Sequence, residues 1–403
     1  MKILDRFKKW YNRRKILFEQ EESSRFFNKK GYTLILVLLM TTLLASLSTN
    51  FIVETQTTIG YMLEFDNRLQ AGYIAQSGIE LARFIIDIDK TGGASLALTG
   101  KATDKNTDSY EDLWALNFPP IPIEGGTVKF EVTDENAKIN INAFANQFTE
   151  QTRYYYMAQL FFINMGLVMD YADIIHDWID IDDSKMPYGA ESGDFYMALN
   201  PPYSAKNRSM DSINEMLMLK NITPEIFYGF GGGNYGIEEN LVADNMGNHF
   251  LDPDKLTDLI SGKPANEETE ERNVNEIKIG KEKSRNLSDY FRVYGDNNDF
   301  TSDLNKININ TASYRVISAL TENMTDDRVS EVIRRRLLKP YSSVDEIKDI
   351  IGNDTEFENL RRYITVRSFI FKIKATAQVK STQVAITAYY NRDTKKFLYW
   401  CKE

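Results

Sequence analysis

From Gly31 to Val53 the chain carries no charged residue. The run from Tyr32 to Leu47 is its densest apolar part. About 20 apolar residues in a helix cross a bilayer core of about 30 Å, so the run is just long enough to span one. Thr41, Thr42, Ser46, Ser48, Thr49 and Asn50 make it less apolar than a committed span. Beyond it, Met62, Phe65, Leu69, Tyr73, Ile79, Ala82 and Ile86 recur mostly at three- and four-residue steps, while Glu64, Asp66, Arg68, Gln70, Glu80, Arg83 and Asp87 fill the other side. That spacing predicts an amphipathic helix. No proline interrupts Gly31 to Asp89, so one helix of roughly 85 Å is expected from Tyr32 to about Asp89. Thr91-Gly92-Gly93 is its expected stop, and Gly60, Gly72 and Gly78 are weak points along it.

A change of period follows. Val128, Phe130 and Val132 alternate and predict a strand over 127–133, with Asp134-Glu135-Asn136 as a turn. Near the C-terminus Phe369, Phe371, Ile373 and Ala375 alternate, then Val384, Ile386 and Ala388, then a third stretch from Lys396 to Trp400. Asp393-Thr394 sits in the last turn, and a three-stranded meander results. Between these strands the pattern is helical. Ala172, Ile175 and Ile179 form a stripe with Trp178 beside it, and Ser209 is the expected N-cap of the helix carrying Glu215-Met216. Thr325 and Ser343 are natural N-caps, and Pro340 ends a helix between them. The motif Lys-Ile-Asn-Ile-Asn occurs twice, at 138–142 and 306–310. Residues 230–300 are polar with little periodicity and read as a loop or insert.

Composition narrows the chemistry. The chain has 403 residues, 42% apolar and 12% aromatic, enough for real cores in more than one domain. One cysteine, Cys401, excludes an internal disulfide and a cysteine-based zinc site. Two histidines, His176 and His249, leave little material for a triad. The net charge is −10, yet residues 1–31 hold ten basic and four acidic side chains, so the remainder carries −16. A basic segment before an apolar run reads as a cytoplasmic flank. An acidic body disfavours nucleic acid. Taken alone, the apolar run fits a signal anchor or a cleaved secretory signal with Leu43-Leu44-Ala45-Ser46 as its processing site.

The strongest site candidate is an acidic cluster, Asp180, Asp182, Asp183, Glu191 and Asp194. Carboxylates near a glycine and a turn suit a hard cation, calcium first, without EF-hand spacing. A solvated acidic loop fits the same residues, with His176 and Asp177 left on a helix face. No nucleophile motif or phosphate loop accompanies them, so catalysis is not expected. Tyr154-Tyr155-Tyr156 and Phe161-Phe162 read as helix core.

These residues resemble a known family. Lys29-Lys30-Gly31 before an aromatic and an unbroken apolar helix resembles the signal of type IV pilins and pseudopilins. The resemblance implies cleavage after Gly31, methylation of the new terminus at Tyr32, and a helix kept as anchor and filament spine. The family's glutamate at the fifth mature position is Leu36 here. An unpaired carboxylate in lipid is costly, and its absence resembles the K-type minor pseudopilin of type II secretion, placed at a filament tip. "DENAKININ", "ADIIHDWIDID" and "PYGAE" are similar to segments of that K-type. The implied fold is α+β: a long helix packed on a small antiparallel sheet, interrupted by a SAM-like, helix-hairpin-helix domain. The implied layout is a leader (1–31), a filament helix (32–90), the first part of the head (91–135), two SAM-like parts (136–229 and 301–363) around the 230–300 insert, and terminal head strands (364–403). Calcium in the helical domain is implied, as is a single-pass place in a bacterial inner membrane, with the body in the periplasm. Implied partners are I- and J-type minor pseudopilins, the major pseudopilin, the inner-membrane platform, the prepilin peptidase, membrane lipid, and an outer-membrane secretin or cargo. A tip pilin of a type IV or competence pilus is the alternative. More distant is an anchored DNA-uptake protein using the hairpin, whose turn "LTENMTDD" lacks glycine and holds three acids; no nucleic acid is expected there.

Overall fold

The structure, a computed structural model, describes residues 2–90, 104–144, 153–228, 287–296, 299 and 302–403, with side chains placed at 5–17 and from 32 onward within these ranges. It divides into two units, Met1–Leu69 and Gln70–Glu403. One helix, α1 (Lys2–Asp89), makes up the first unit and opens the second. In the first unit every side chain from Tyr32 to Asp66 is exposed. By length and composition this stretch holds the helix able to cross a membrane.

In the second unit α1 buries Ala71, Gly72, Ile74, Ala75, Gly78, Ile79, Ala82, Ile85 and Ile86. The expected stripe is therefore right at Ile79, Ala82 and Ile86 and wrong at Leu69 and Tyr73, which are exposed. Small residues displace bulky ones on the packed face because the helix lies close to a sheet. A Cβ on Gly78 would sit 2.6 Å from Val128 Cγ2 and 3.2 Å from the Ala375 Cβ. Gly72 and Gly78 are contact positions rather than breaks in the helix.

The head continues with β1 (Ile121–Ile123) and β2 (Gly126–Asp134), joined through Gly125 at φ +88°. The chain then leaves the head. It forms β3 (Ile139–Asn140), α2 (Arg153–Asn164), α3 (Asp170–Ile179), α4 (Pro224–Tyr228), β4 (Phe291–Arg292) and β5 (Ile307–Asn308). After these come α5 (Tyr314–Ser318), α6 (Asp326–Leu338), α7 (Lys348–Ile351), α8 (Asp354–Leu360) and β6 (Ile364–Thr365). It returns as β7 (Ile370–Val379), β8 (Thr382–Asn391) and β9 (Lys396–Lys402). The head sheet is antiparallel in the order β1-β2-β7-β8-β9, with Phe130 opposite Ala375 and Ala375 opposite Ile386. Its inner face packs on α1 together with Leu113, Trp114 and Phe118. The helical domain has its own core, which includes Tyr154, Tyr155, Phe161 and Phe162 as expected, whereas Tyr156, expected with them, is half-buried and its hydroxyl donates to Glu322.

Three boundaries change. Residues 287–296, expected in the polar insert, belong to the helical domain: β4 pairs in parallel with β3, and Tyr290, Phe291 and Val293 are buried. Ile364–Thr365, expected in the head, pairs with β5 instead. The N-cap before Glu215 is Ser212, not Ser209: its hydroxyl accepts from the backbone, and Glu215 reaches back to close a capping box. Residues 229–286, the rest of the insert, lie outside the described residues, as do Thr91-Gly92-Gly93 and His249.

Asp134-Glu135-Asn136 does turn, as a short 3-10 helix at Glu135–Ala137, but all three side chains are buried. Asp134 Oδ2 accepts from Ser368 Oγ and Thr311 Oγ1, each at 2.5 Å. Asn136 Oδ1 accepts from the amides of Phe369 and Ile370, and its Nδ2 donates to the carbonyls of Leu304 and Lys306. The tripeptide is the polar joint between head and helical domain.

The repeated motif is a structural repeat. Asn142 exchanges hydrogen bonds with the backbone N–H and C=O of Met210, and Asn310 does the same with Tyr341. Each contact precedes a serine-capped 3-10 turn closed by a glutamate, Ser212 with Glu215 and Ser343 with Glu346. In the second copy only Lys339 and Pro340 separate helix α6 from Tyr341. In the first, residues 180–209 separate α3 from Met210. That extra segment holds the acidic cluster.

Candidate functional site

Helix α3 places Asp173 and Asp177 one turn apart on the same face. Both turn inward. Asp173 accepts from the Tyr155 hydroxyl and from the Tyr188 amide at 3.1 Å. Asp177 accepts from the Met186 amide at 3.0 Å. A Cβ on Gly189 would lie 1.8 Å from Asp177 Oδ2, so only glycine lets the loop close onto this carboxylate. The loop after α3 is thus drawn back over the helix by two of the helix's own acids. The expectation that set Asp177 aside on a helix face is corrected, because the residue is fully buried in this contact.

The closure brings Asp180 and Glu191 into the interior, each 3% exposed. Both Glu191 carboxylate oxygens and Asp180 Oδ1 are buried without a hydrogen-bond partner. Such groups are costly in a low-dielectric interior. Burial, then the charges of Asp177, Asp180 and Asp183, push the Glu191 carboxyl up to about 7. Burial first and Asp180 next push Asp177 up to about 6, against the Met186 amide. His176 Nδ1 lies 3.2 Å from Asp180 Oδ2 and 3.9 Å from Asp177 Oδ1. Burial opposes a charge on its ring, but the three neighbouring aspartates prevail and raise its pKa.

Of the five candidate acids, Asp180 and Asp183 act on Glu191 by charge, Asp180 lies with His176 and Asp177 within 4.8 Å, and Asp182 and Asp194 are engaged by other partners. Asp182 Oδ1 accepts from the Ser184 amide. Asp194 pairs with Lys185 at 2.5 Å, which lowers its pKa, and accepts from the Glu191 amide. A cavity of about 260 Å³ lies among Asp183, Lys185, Glu191, Ser192, Gly193 and Asp194.

Asn207, which no motif marks, adjoins Asp183. Asn207 adopts φ +47°, a region that asparagine tolerates better than most residues. Its amide donates to the Trp178 carbonyl, and its Nδ2 donates to Asp183 Oδ1 at 2.9 Å and to the Asp182 carbonyl. That leaves Asn207 Oδ1 buried without a partner. Its one sequence signal is an asparagine before arginine in a proline-rich loop, which carries no metal-ligand spacing. Unpartnered oxygens on Asp180, Glu191 and Asn207, with negative charge from Asp177 and Asp183, suit a hard cation.

A second acidic group, Asp89, Asp108 and Asp112, lies buried in the head with ligand atoms within 4.8 Å of one another. Here the charge already has a partner. Arg392 binds Asp108 through two hydrogen bonds of 2.5 and 2.6 Å. Burial, then neighbouring acids, raise the pKa of Asp112 and Asp89, and their carboxylates already accept from the Ser109 and Leu113 amides.

In the hairpin between α5 and α6 the turn is closed on itself. The Asn323 amide donates to Thr321 Oγ1, the Thr325 amide to the Asn323 carbonyl and the Arg328 amide to Thr325 Oγ1.

Comparison with known proteins follows the same division of the chain. Two profiles described as type II secretion system protein K match residues 137–229 and 307–366. The putative type II secretion system protein K of Escherichia coli K12 is 28% identical over 207 residues, 49% of this chain and 60% of that protein. The type II secretion system protein K of Pseudomonas aeruginosa is 23% identical over 197 residues, 48% of this chain and 57% of that protein. The aligned part thus spans under two thirds of either relative. A chain in the crystal structure of the GspK–GspI–GspJ complex from the enterotoxigenic E. coli type 2 secretion system superposes with a TM-score of 0.54 at 15% identity. That match covers 87% of this chain and 99% of the other, and shows a shared fold.

Proposed function

We propose, for a chain that carries both domains of the type II secretion protein K family, that it is a minor pseudopilin of a type II secretion pseudopilus. One observation carries the reading. The sheet packed on α1 is interrupted between β2 and β7 by the whole helical domain. A pilin-like head of this kind is too bulky for another subunit to stack above it, so the subunit caps the tip and helps start assembly. Under this reading it joins I- and J-type minor pseudopilins and the major pseudopilin. It meets the inner-membrane platform on one side and the secretin or cargo on the other. Its apolar helix sits in the bacterial inner membrane, and its head and helical domain lie in the periplasm.

The same reading assigns the bond between Gly31 and Tyr32 to the prepilin peptidase and N-methylation to Tyr32. Leu36 fits a tip position. A glutamate there would need a subunit above it to meet its charge, and a leucine needs none. Mass spectrometry of the protein recovered from membranes is expected to find a chain beginning at N-methylated Tyr32. A chain still carrying Met1, or one cut beside Ser46, overturns the pseudopilin reading.

Calcium is proposed for the acidic loop. Asp180, Glu191, Asp183 and Asn207 are the residues that would hold it, which revises the set chosen by spacing by replacing Asp182 and Asp194. The ion would supply positive charge to buried oxygens and so brace the long loop of the first repeat. Asp177 and Gly189 position that loop, and Lys185 holds Asp194 at its mouth.

A further inference from the structure

The segment preceding the apolar span is itself strongly amphipathic. Within α1, Phe7, Trp10, Tyr11 and Leu17 fall inside about 120° of the helix circumference at 3.6 residues per turn. They are exposed by 69%, 53%, 65% and 60%. Arg14 lies on the same arc but does not break it, because its guanidinium stacks 4.7 Å above the Trp10 ring. Phe7 and Trp10 pack with their rings tilted at 58° and centroids 5.9 Å apart. The opposite arc carries Arg6, Lys8, Lys9, Asn12 and Arg13, with Ile16 as its apolar exception. From Asp5 to Leu17 the chain holds six basic residues and one acid.

The resemblance to a pilin-type signal rests on Lys29-Lys30-Gly31 and the residues that follow it. It gives no reason for aromatic residues on one arc and cations on the other some twenty residues upstream. A helix with a basic face and a Trp/Phe/Tyr face settles at the boundary between lipid headgroups and acyl chains. Anionic headgroups attract the cations within a Debye length. We propose that Asp5–Leu17 docks flat on the anionic surface of the bilayer that its own span enters. The aromatic arc would lie in the interface, and the basic face would meet lipid phosphate. Docking requires the helix to bend between Phe18 and Gly31, a stretch that holds Glu19, Glu21, Glu22, Ser23 and Ser24. The acids there are repelled by the same surface, so the bend falls where lipid contact ends. The proposal rests on the anchor reading of the span. Under the cleavage reading it acts before processing, holding Lys29-Lys30-Gly31 close to the membrane.

The test uses the full unprocessed chain in lipid nanodiscs, made of phosphatidylcholine alone or with one third phosphatidylglycerol. On a Cys401→Ser background, single nitroxide labels are placed through Phe7→Cys, Tyr11→Cys, Lys9→Cys and Arg13→Cys. In anionic discs the labels at 7 and 11 are expected to collide mainly with oxygen, and those at 9 and 13 mainly with an aqueous nickel chelate. In neutral discs all four should face water. Adding Lys8→Glu and Lys9→Glu to the Phe7→Cys chain should return its label to water, each lost cation reducing the docking equilibrium constant roughly fivefold. An inserted chain whose four labels stay aqueous in anionic discs is a straight rod and overturns this proposal alone. Equal embedding in neutral discs overturns the electrostatic basis. A chain that never enters the discs overturns the anchor reading as well.

Discussion

At the residue scale, the acidic loop shows how burial selects among similar side chains. Five acids crowd into 180–194, and spacing could not rank them. Lys185 engages Asp194, and a backbone amide engages Asp182, while burial leaves Glu191 and Asp180 with open oxygens. The pH behaviour follows from Glu191. Its pKa rises from 4.5 to about 7 on folding, so in cation-free protein its stabilising contribution is complete below about 4.5 and lost as pH rises through about 7. A cation replaces the proton and offsets that loss. In a soluble fragment starting near residue 55, the melting temperature without calcium should fall between about pH 5 and pH 8, and calcium should restore it. At a hundredfold excess over its dissociation constant the ion adds about 2.7 kcal/mol. Glu191→Gln together with Asp180→Asn should reduce the pH slope, leaving the part due to Asp177 and the head acids, and abolish the calcium response. Asp182→Asn should leave both intact. If Asp182→Asn abolishes the response while the double variant keeps it, the ligand set is wrong.

At the element scale, the close approach of helix to sheet is set by glycine. Alanine is the better helix former by about 1 kcal/mol. At Gly60, with nothing within 4 Å of the added Cβ, Gly60→Ala should therefore be neutral or stabilising. At Gly78 the same change drives a methyl group against Val128 and Ala375 in a packed core. Overpacking of this kind costs roughly 1–3 kcal/mol. Gly78→Ala is expected to lower the denaturant midpoint, and Val128→Ala in the same chain to recover part of the loss. Equal effects at the two glycines would show that the helix does not pack as described. The helix itself was legible from its period. Which of its residues face the sheet was not, because Tyr73 and Ala75 both fit a three-and-four spacing and only the distance to the sheet separates them.

At the scale of the whole molecule, head and helical domain have separate apolar cores and a shared polar joint. Asn136 makes four hydrogen bonds there, two to each side. Its loss leaves buried amides and carbonyls unpaired, at about 1–3 kcal/mol for each such group. The soluble fragment should unfold in one transition, and Asn136→Ala should split it in two or lower its midpoint by several degrees. A single unshifted transition would mean that the apolar contacts alone couple the domains. Alternating residues marked four of the five head strands. The short β1 was missed, having three residues and one proline. Residues 287–296 show no strand pattern of their own, because their partner, β3, lies some 150 positions earlier in the chain.

The sequence by itself determined the apolar run, the long helix, the meander, the doubled Lys-Ile-Asn-Ile-Asn motif and the caps at Thr325 and Ser343. Each is local: a period, a turn residue or a short motif carries it within a few residues. The tertiary structure decided what distance in sequence hides. It made the Asp134-Glu135-Asn136 turn a buried joint as well. It showed that both Asn142 and Asn310 grip a distant backbone in the same way. It also set Asn207 beside Asp183, opposite acids that spacing alone had grouped differently. Burial is the physical reason: a polar side chain's role depends on which of its atoms water can still reach, and no local pattern encodes that.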